Sequence, residues 1–329
     1  MNPEIELQSD KGVSDLVSVI IPAYNAVRYI KETLESVFSQ TYKHYQIIVV
    51  NDGSPDTPEL DELLLPYMYR ITYIKQENRG LAGARNTGLR AATGNLVAFL
   101  DADDIWMPEY LAEQTKFLSE HPEYDLVYCN ARFFGDSVYD GMEYMKVCPS
   151  EGEATAVAII SRRCHVFVSA TARREAMLAV AFDESLRSCE DFDCWLRFTS
   201  AGYRIGYHRK ILVRYRKHGA SLSASPVWMA ENNIRVLNKS SVLWPEVSEE
   251  CRLLLEAKNN KVAELDTIRG KMAIDNQDFS TAAVHLEQAN CYYKSAKISL
   301  VVWLLKRLPW LVGLMYRSRA MLFRSYRDV

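Results

Sequence analysis

Apolar and polar residues are arranged up to about residue 134 in a pattern that predicts strands and helices in turn. We predict strands near residues 17–21, 46–50, 71–76, 96–101 and 125–131, and helices near residues 28–39, 59–67, 81–92 and 108–119. The run Ile47–Val50 is apolar throughout, which is typical of a strand buried on both faces of a covered sheet. Strands that alternate with helices indicate an α/β fold.

Polar residues follow three of these strands at the points where the strands end. The strands run into Pro22, Tyr24 and Asn25, into Asp52, and into Asp101, Asp103 and Asp104. In a parallel sheet with right-handed crossovers the carboxyl ends of the strands meet at one rim, so one crevice can be lined by Tyr24, Asn25, Asp52, Asp101 and Asp103. At Asp52 the alternative is a tight turn, because Gly53 follows it directly.

The three carboxylates after the fourth strand repel one another if they lie in a partly dry cleft. A divalent cation with oxygen ligands relieves that repulsion and is the natural occupant of such a cluster. The structural alternative is a helix cap, in which Asp103 or Asp104 caps a helix that runs from about Pro108 to Leu118.

Seven segments of the chain together resemble one large family of enzymes. They are VSVIIPAYN from Val17, IIVVNDGS from Ile47, ENRGLAGARNTGLRAATG from Glu77, FLDADD from Phe99, AFDESL from Ala181, CEDFDCWLRF from Cys189 and YRKHGASLS from Tyr215. In this order they resemble family 2 of the inverting glycosyltransferases, over roughly residues 16–225. The resemblance implies a GT-A fold, in which helices flank a mixed, Rossmann-like sheet.

The resemblance also implies a donor substrate, a metal and residues that bind them. The donor is a nucleotide-diphosphate sugar, foremost a UDP-sugar, and the metal is Mn²⁺ or Mg²⁺, because a carboxylate-and-phosphate site suits either ion. Asp103 is expected on the metal, with Asp101 on the metal or the ribose and Asp52 on the uracil or the ribose. The donor-binding residues expected on this basis are Pro22, Tyr24, Asn25, Asp52, Arg85, Asp101 and His218. Asn86 is an alternative to Arg85, and a solvated surface position is the alternative for His218.

Inverting glycosyl transfer needs a base that takes the proton of the acceptor hydroxyl as the hydroxyl attacks the sugar. The resemblance makes Asp191 the candidate base, in the segment that Glu190 opens. A carboxylate at a helix N-terminus is stabilised by the helix dipole, so capping of the helix is the structural alternative for Asp191.

The chain has 329 residues, which exceeds the usual size of one domain. We predict a loose N-terminal tail over residues 1–15, a GT-A domain over 16–226, a helical extension over 227–297 and a basic amphipathic tail over 298–329. Within the extension, a helix pair near residues 263–293 has the residue spacing of a tetratricopeptide repeat, although an ordinary helical hairpin explains it nearly as well.

The C-terminal tail is basic and apolar. After Glu287 the chain has eight basic residues and one acidic residue, a local charge of 8 − 1 = +7, so the rest of the chain carries −3 − 7 = −10. Lys306, Arg307 and Pro309 interrupt the apolar run Ile298–Tyr316, which argues against a membrane span. We predict peripheral docking on an anionic membrane surface, with packing of this helix on residues 230–290 as the alternative.

We expect a cytoplasmic protein at the inner face of the membrane. Residues 1–15 lack the apolar segment of a secretory signal, and the seven cysteines show no CxxC pair. The predicted function is metal-dependent inverting transfer of a sugar to a cell-surface polysaccharide, a lipopolysaccharide or a lipid-linked acceptor. The alternative is a non-catalytic adaptor that acts through its helical C-terminal region. We expect no nucleic-acid partner.

Overall fold

The computed structural model describes residues 15–219, 221 and 225–312. The chain divides into two compact units, and the division falls between His218 and Gly219. The boundary predicted at residue 226 and the predicted division of the helical part stay predictions, because compactness alone does not delimit a functional domain. The N-terminal tail to residue 14 and residues 313–329 of the basic tail lie outside the described residues.

The first unit is built on one sheet of eight strands. The strands are β1 (Val17–Ala23), β2 (Tyr45–Asp52), β3 (Ile71–Gln76), β4 (Leu96–Phe99), β5 (Ile105–Trp106), β6 (Leu126–Gly135), β7 (Ala170–Arg173) and β8 (Ile205–Lys217). Their order across the sheet is β3-β2-β1-β4-β7-β6-β8-β5. The first four strands in this order are parallel, as is the β6–β8 pair, and β7 and β5 pair antiparallel with their neighbours. The predicted mixed sheet is therefore confirmed.

The five predicted strands correspond to β1, β2, β3, β4 and β6. Helices flank the sheet. The helices are α1 (Ile30–Phe38), α2 (Thr57–Leu64), α3 (Gly80–Ala91), α4 (Tyr110–Glu120), α5 (Tyr144–Val147), α6 (Ala156–Ile160), α7 (Arg174–Val180) and α8 (Glu190–Ser200). The predicted fourth strand was wrong at its end, because pairing stops at Phe99 and the acidic residues follow in a turn.

Close packing holds α3 against β1. Every residue of β1 is buried, and a Cβ atom added to Gly88 of α3 would lie 2.4 Å from Cγ2 of Ile20. A side chain at residue 88 would therefore push the helix away from the sheet. Gly88 thereby sets how closely the rest of α3, including Arg85, approaches the strand ends.

Four helices of the second unit lie wholly within residues 225–312, and helical residues follow them at 309–312. The four helices are α9 (Pro226–Ser240), α10 (Glu249–Asp275), α11 (Phe279–Tyr293) and α12 (Ala296–Arg307). The predicted helix pair near residues 263–293 is present as the end of α10 and α11, and Leu286 packs against Gly270, where an added Cβ would lie 2.8 Å from Leu286 Cγ. One face of α12 also packs on this pair through Val302 and Leu305.

The helices of the described ranges do not reach the length and apolarity that a membrane-spanning helix needs. The prediction that the run from Ile298 does not form a span therefore stays a prediction, because only its residues up to Val312 are described. Its last residues, from Gly313 to Tyr316, lie outside the described part of the chain.

Replacing Gly88 with alanine should destabilise the first unit. We expect the free energy of unfolding to fall by about 1–2 kcal/mol, because overpacking against Ile20 costs more than the better helix propensity of alanine returns. Urea unfolding of the variant measures the change. Ile20→Ala removes the atoms that collide with the new methyl group, so both changes together should cost less than the sum of the single changes. Strict additivity would contradict the packing argument.

Candidate active site

The carboxyl ends of four parallel strands form one rim of the sheet. Ala23 of β1 pairs with Asn51 of β2, and Asp52 of β2 pairs with Gln76 of β3. Ile20 of β1 pairs with Phe99 of β4, which lies two residues before Asp101. The polar residues that follow β1, β2 and β4 are therefore delivered to the same edge, as the sequence predicts.

The centre of the site is the buried guanidinium of Arg85 on α3. Its side chain is 1% exposed, and it lies between two carboxylates. One terminal nitrogen donates to Asp101 Oδ1 at 2.6 Å, and the other donates to Glu190 Oε1 at 2.5 Å. Burial alone would lower the pKa of Arg85, but Asp101 and Glu190 outweigh burial and raise it. Arg85 is therefore a permanent cation that joins the end of β4 to the start of α8.

The start of α8 carries two adjacent carboxylates on a strained backbone. Cys189, the residue before the helix, has a left-handed backbone with φ of 59°, which is unusual for a residue with a side chain. Glu190 and Asp191 follow in the first turn, where Asp191 Oδ1 accepts a hydrogen bond from the Phe192 N–H at 2.7 Å. Strain of this kind persists only where the surrounding structure imposes it, and such positions cluster at functional sites.

Burial makes both carboxyls of this turn weaker acids. It raises the pKa of Asp191, against the opposing effect of Arg85, and Asp101 raises it further. It raises the pKa of Glu190 as well, again opposed by Arg85. A carboxylate with a raised pKa accepts a proton more readily than an exposed one, which is what a general base requires. The hydrogen bond from Phe192 also fits the alternative of helix stabilisation, and the two roles are compatible.

Asp103 lies at the same rim and pairs with His218. Oδ2 of Asp103 is 3.0 Å from Nε2 of His218, whose ring lies 4.8 Å from that of Tyr29 between centroids. Burial raises the pKa of Asp103, and Asp101 adds to this, while His218 opposes it. The structure therefore brings His218 to the acidic turn rather than leaving it as an isolated surface group.

The end of β8 is fastened to the same acidic turn. Arg216 donates its backbone N–H to Asp104 Oδ1 at 2.8 Å and its Nε–H to the carbonyl of Asp103 at 2.7 Å. Asp104 is buried, and α4 begins at Tyr110 without a side-chain cap. The alternative that Asp103 or Asp104 caps this helix is therefore wrong.

Asp52 is buried where β2 ends. Its Oδ1 accepts hydrogen bonds from Gln76 Nε2 at 2.6 Å and from the Arg79 N–H at 2.9 Å. The turn interpretation also holds, because Gly53 has φ of +63° and a Cβ there would lie 2.7 Å from the Asn78 nitrogen. Asp52 thus joins the end of β2 to the loop before α3.

The remaining predicted donor-binding residues lie at or next to the end of β1. Pro22 is buried within the strand opposite Val50, whereas Tyr24 is 51% exposed at the rim. Asn25 has a left-handed backbone and donates its N–H to Ser54 Oγ at 2.7 Å. The structure shows where these residues lie, and their contact with a donor stays a prediction.

Asn86, the alternative to Arg85, holds a neighbouring loop. Its side chain donates to the Phe182 carbonyl at 2.8 Å and accepts from the Phe182 N–H at 2.9 Å, and it also donates to Glu184 at 3.0 Å. Both backbone groups of Phe182 are thus paired by one amide. Sequence reasoning did not find this clamp or the roles of Arg216 and Tyr29, because the partners are distant along the chain.

The residues at the rim can bind a divalent metal only if a bound substrate supplies further oxygen ligands. Asp101 and Asp103 lie at the rim, and their side chains are 25% and 29% exposed. The described residues contain no group of three acidic, histidine or cysteine side chains that could hold a metal alone. Two carboxylates that share the ion with phosphate oxygens are a usual arrangement for Mg²⁺. The raised pKa of Asp103 also indicates a place where added positive charge is favourable.

Comparison with known proteins assigns the chain to a family. A model of the family described as Glycosyl transferase family 2 matches residues 18–174. The amylovoran biosynthesis glycosyltransferase AmsB of Erwinia amylovora is 30% identical over 234 residues, which cover 64% of this chain and 76% of AmsB. The chain belongs to glycosyltransferase family 2. An uncharacterized glycosyltransferase of Rickettsia prowazekii is 32% identical over 219 residues, or 63% of this chain.

The chain spans only part of several family 2 relatives. It covers 65% of the length of the Rickettsia prowazekii protein. It covers 49% of a relative from Rickettsia conorii, to which it is 27% identical over 319 residues.

Solved structures agree with the fold predicted for a family 2 protein. S. aureus TarS 1–349 in complex with UDP-GlcNAc matches with a TM-score of 0.59 and 19% identity, over 92% of this chain and 91% of TarS 1–349. The mannosyltransferase PcManGT from Pyrobaculum calidifontis, in complex with GDP-Man and Mn²⁺, matches with a TM-score of 0.59 and 21% identity, over 92% of this chain and 84% of PcManGT. The predicted GT-A fold with a helical C-terminal region is confirmed.

Replacing Arg85 with leucine should destabilise the protein strongly at neutral pH. We expect the free energy of unfolding to fall by about 3–5 kcal/mol, because the change leaves buried carboxylates without their cation. Arg85 opposes the raised pKa of Glu190, so that pKa rises further in the variant. A carboxyl with a raised folded-state pKa binds protons on folding, so the variant should regain stability as the pH falls toward the unfolded pKa. Urea unfolding at neutral and mildly acidic pH measures both effects.

The matched control is Arg90→Leu on the same helix. The Arg90 side chain is about half exposed and lies 3.8 Å from Glu184. We expect this change to cost about 0.5 kcal/mol or less, with no recovery at acidic pH. Equal losses in the two variants would contradict a special role of the buried cation.

Proposed function

We propose that this family 2 protein is a metal-dependent inverting glycosyltransferase that uses a nucleotide-diphosphate sugar. The observation that carries the proposal is the bridge made by Arg85, which holds the acidic end of β4 next to the acidic start of α8. The proposed donor-binding carboxylates and the proposed base thus belong to one connected cluster. In a nucleotide sugar bound at the rim, the diphosphate would lie near Asp101 and Asp103, and the reacting carbon of the sugar would lie near Asp191.

Asp191 is the proposed base of the reaction. It would take the proton of the acceptor hydroxyl while the hydroxyl oxygen forms a bond to C1 of the sugar. The bond between C1 and the diphosphate oxygen breaks on the opposite side, and its electron pair leaves with the nucleoside diphosphate. Attack opposite the leaving group inverts the configuration at C1. The raised pKa of Asp191 supports this role, because the group accepts a proton more readily than an exposed aspartate.

Asp101 and Asp103 are the proposed metal-binding residues, for Mn²⁺ or Mg²⁺. When bound, the metal would neutralise the charge that develops on the leaving diphosphate. His218, which contacts Asp103, would lie near the diphosphate and fix the orientation of that carboxylate. Asp52, Tyr24 and Asn25 would contact the nucleoside. Pro22 and Arg85 are also among the residues expected to bind the donor, but both are buried, so we propose that they support the site from within the fold.

The donor we propose is a UDP-sugar. TarS carries UDP-GlcNAc in its solved structure, while PcManGT carries GDP-Man and Mn²⁺, so a nucleotide-sugar donor and a metal suit this fold. The choice of uracil rests on the family resemblance and is supported by the UDP-GlcNAc in TarS, and Asp52, which is held at the rim, is proposed to contact the uracil or the ribose.

The acceptor we propose is a hydroxyl of a cell-surface polysaccharide, a lipopolysaccharide or a lipid-linked saccharide. The name of AmsB, which refers to amylovoran biosynthesis, supports a polysaccharide. Such acceptors suit an enzyme at the inner face of the membrane, where we propose that the protein acts. The adaptor alternative is not favoured, because a protein without activity has no use for the buried cation of Arg85 that pairs with Asp101 and Glu190, beside Asp103 and Asp191.

Asp191→Asn should nearly abolish transfer while it preserves binding of the nucleoside diphosphate. We expect turnover to fall by about 10²–10⁴-fold, the usual contribution of a general base. The activity of the unchanged protein should fall as the pH drops through the raised pKa of Asp191, because protonation removes the base. Initial rates across a pH series measure both effects. Asp140→Asn, a change at an exposed residue, is the control and should leave the rate unchanged. Near-normal transfer by Asp191→Asn would overturn the assignment.

Calorimetric titration of UDP, GDP and dTDP tests the donor site without any acceptor. We expect UDP to bind in the presence of Mn²⁺ and to lose affinity when EDTA is added, because two carboxylates need the metal to tolerate a diphosphate. Asp103→Ala should weaken the metal-dependent part of binding about tenfold or more. Asp140→Ala is the matched control and should bind as the unchanged protein does. Absence of binding of all three nucleotides under both conditions would favour the adaptor alternative.

A further inference from the structure

The helix α12 is apolar on two opposite faces. Its inner face packs into the second unit's core, where Val302 and Leu305 lie with Ala282 and Leu286. Apolar side chains on the opposite face remain in solvent: Leu300 is 58% exposed and Trp303 is 54% exposed. Trp310, in the helical residues 309–312 that follow a break at Leu308, is 65% exposed. α12 therefore has a second apolar face, against which no described residue packs as the core packs against the first.

The spacing of the exposed side chains places them on one stripe. Leu300, Trp303 and Arg307 are three and four residues apart, which is the spacing of neighbours along one side of a helix. Large apolar side chains exposed together in this way mark a site of interaction, whereas single exposed ones do not. Tryptophan in particular is favoured at the boundary between water and lipid, where its ring is buried and its N–H stays in a polar layer.

The charge around this stripe is of one sign. Residues 294–312 contain four basic residues and no acidic residue. Lys306 is engaged by Glu287 of α11, at 2.7 Å and 2.9 Å from the two carboxylate oxygens. Lys294, Lys297 and Arg307 are exposed beside the apolar stripe. An apolar stripe with basic flanks is complementary to a surface that offers both hydrocarbon and negative charge.

We propose that the outer face of α12 docks on an anionic lipid bilayer, with Leu300 and Trp303 in the interfacial layer. The proposal adds a partner to the proposed function and rests on it only for the biological purpose of docking. A second copy of the chain is a poorer occupant. In a two-fold dimer through this face, the basic residues of both copies would meet and repel one another.

Flotation with lipid vesicles tests the docking surface directly. The full chain is mixed with vesicles of phosphatidylglycerol and phosphatidylcholine, or of phosphatidylcholine alone, and is centrifuged through a density gradient. We expect the protein to float with the anionic vesicles only, and flotation should weaken as salt is added. Leu300→Glu should reduce the partition coefficient by about tenfold, because it removes apolar contact and adds a repelled charge. Trp303→Ala should reduce it in the same direction.

The matched control is Leu255→Glu, at a leucine of α10 that is 59% exposed. It should float as the unchanged protein does, and circular dichroism should show equal helix content in all variants. Absence of flotation, or equal flotation of the Leu300→Glu and unchanged proteins, overturns the proposal. Dimerisation in solution that Leu300→Glu abolishes, without vesicle binding, assigns the face to a second copy instead. Flotation needs no nucleotide sugar, so its failure is distinct from a failure of the transferase proposal.

Discussion

The buried cation of Arg85 is the interaction on which the site depends. A guanidinium that is removed from water is costly unless carboxylates pair with it, and Asp101 and Glu190 pair its two terminal nitrogens, while its buried Nε has no hydrogen-bond partner among the described residues. These carboxylates belong to different elements, one after β4 and the other at the start of α8. The approach of α3 to the sheet, which Gly88 makes possible, puts the guanidinium between them. One side chain thus fixes the relative position of three elements at the rim.

The acidic residues around Arg85 outnumber the cations that the chain supplies. Burial raises the pKa of Asp103, Asp104, Glu190 and Asp191, in each case against an opposing basic partner. Such a cluster lowers the stability of the folded protein at neutral pH, and the left-handed backbone of Cys189 adds strain beside it. A protein tolerates such a loss of stability at a site where it strengthens ligand binding. Carboxylates that are already fixed in place need no rearrangement when they bind a cation or a proton.

The second unit is held together mainly by apolar packing between helices. Gly270 lets α10 and α11 approach closely, and the inner face of α12 completes the core that these helices begin. Ser248 and Asp278 cap the starts of α10 and α11 with their side chains. No buried charge is needed to hold this unit together in the ranges described. A binding partner would therefore contact the exposed residues of this unit, and Leu300 and Trp303 are among them.

The sequence by itself determined the parallel strands, their polar ends and the family, because apolar runs and strand-end motifs are local patterns. It also determined that Asp52, Asp101 and Asp103 meet at one rim, since parallel strands end on the same side. It did not reveal β5, β7 and β8, the bridge by Arg85, the clamp by Asn86 or the burial of Asp104. Arg85 and Glu190 are 105 residues apart, and no local pattern states which distant carboxylate a buried arginine will meet. The same holds for α12, whose apolar residues look alike in sequence, and only packing decided which of them face the core and which face solvent.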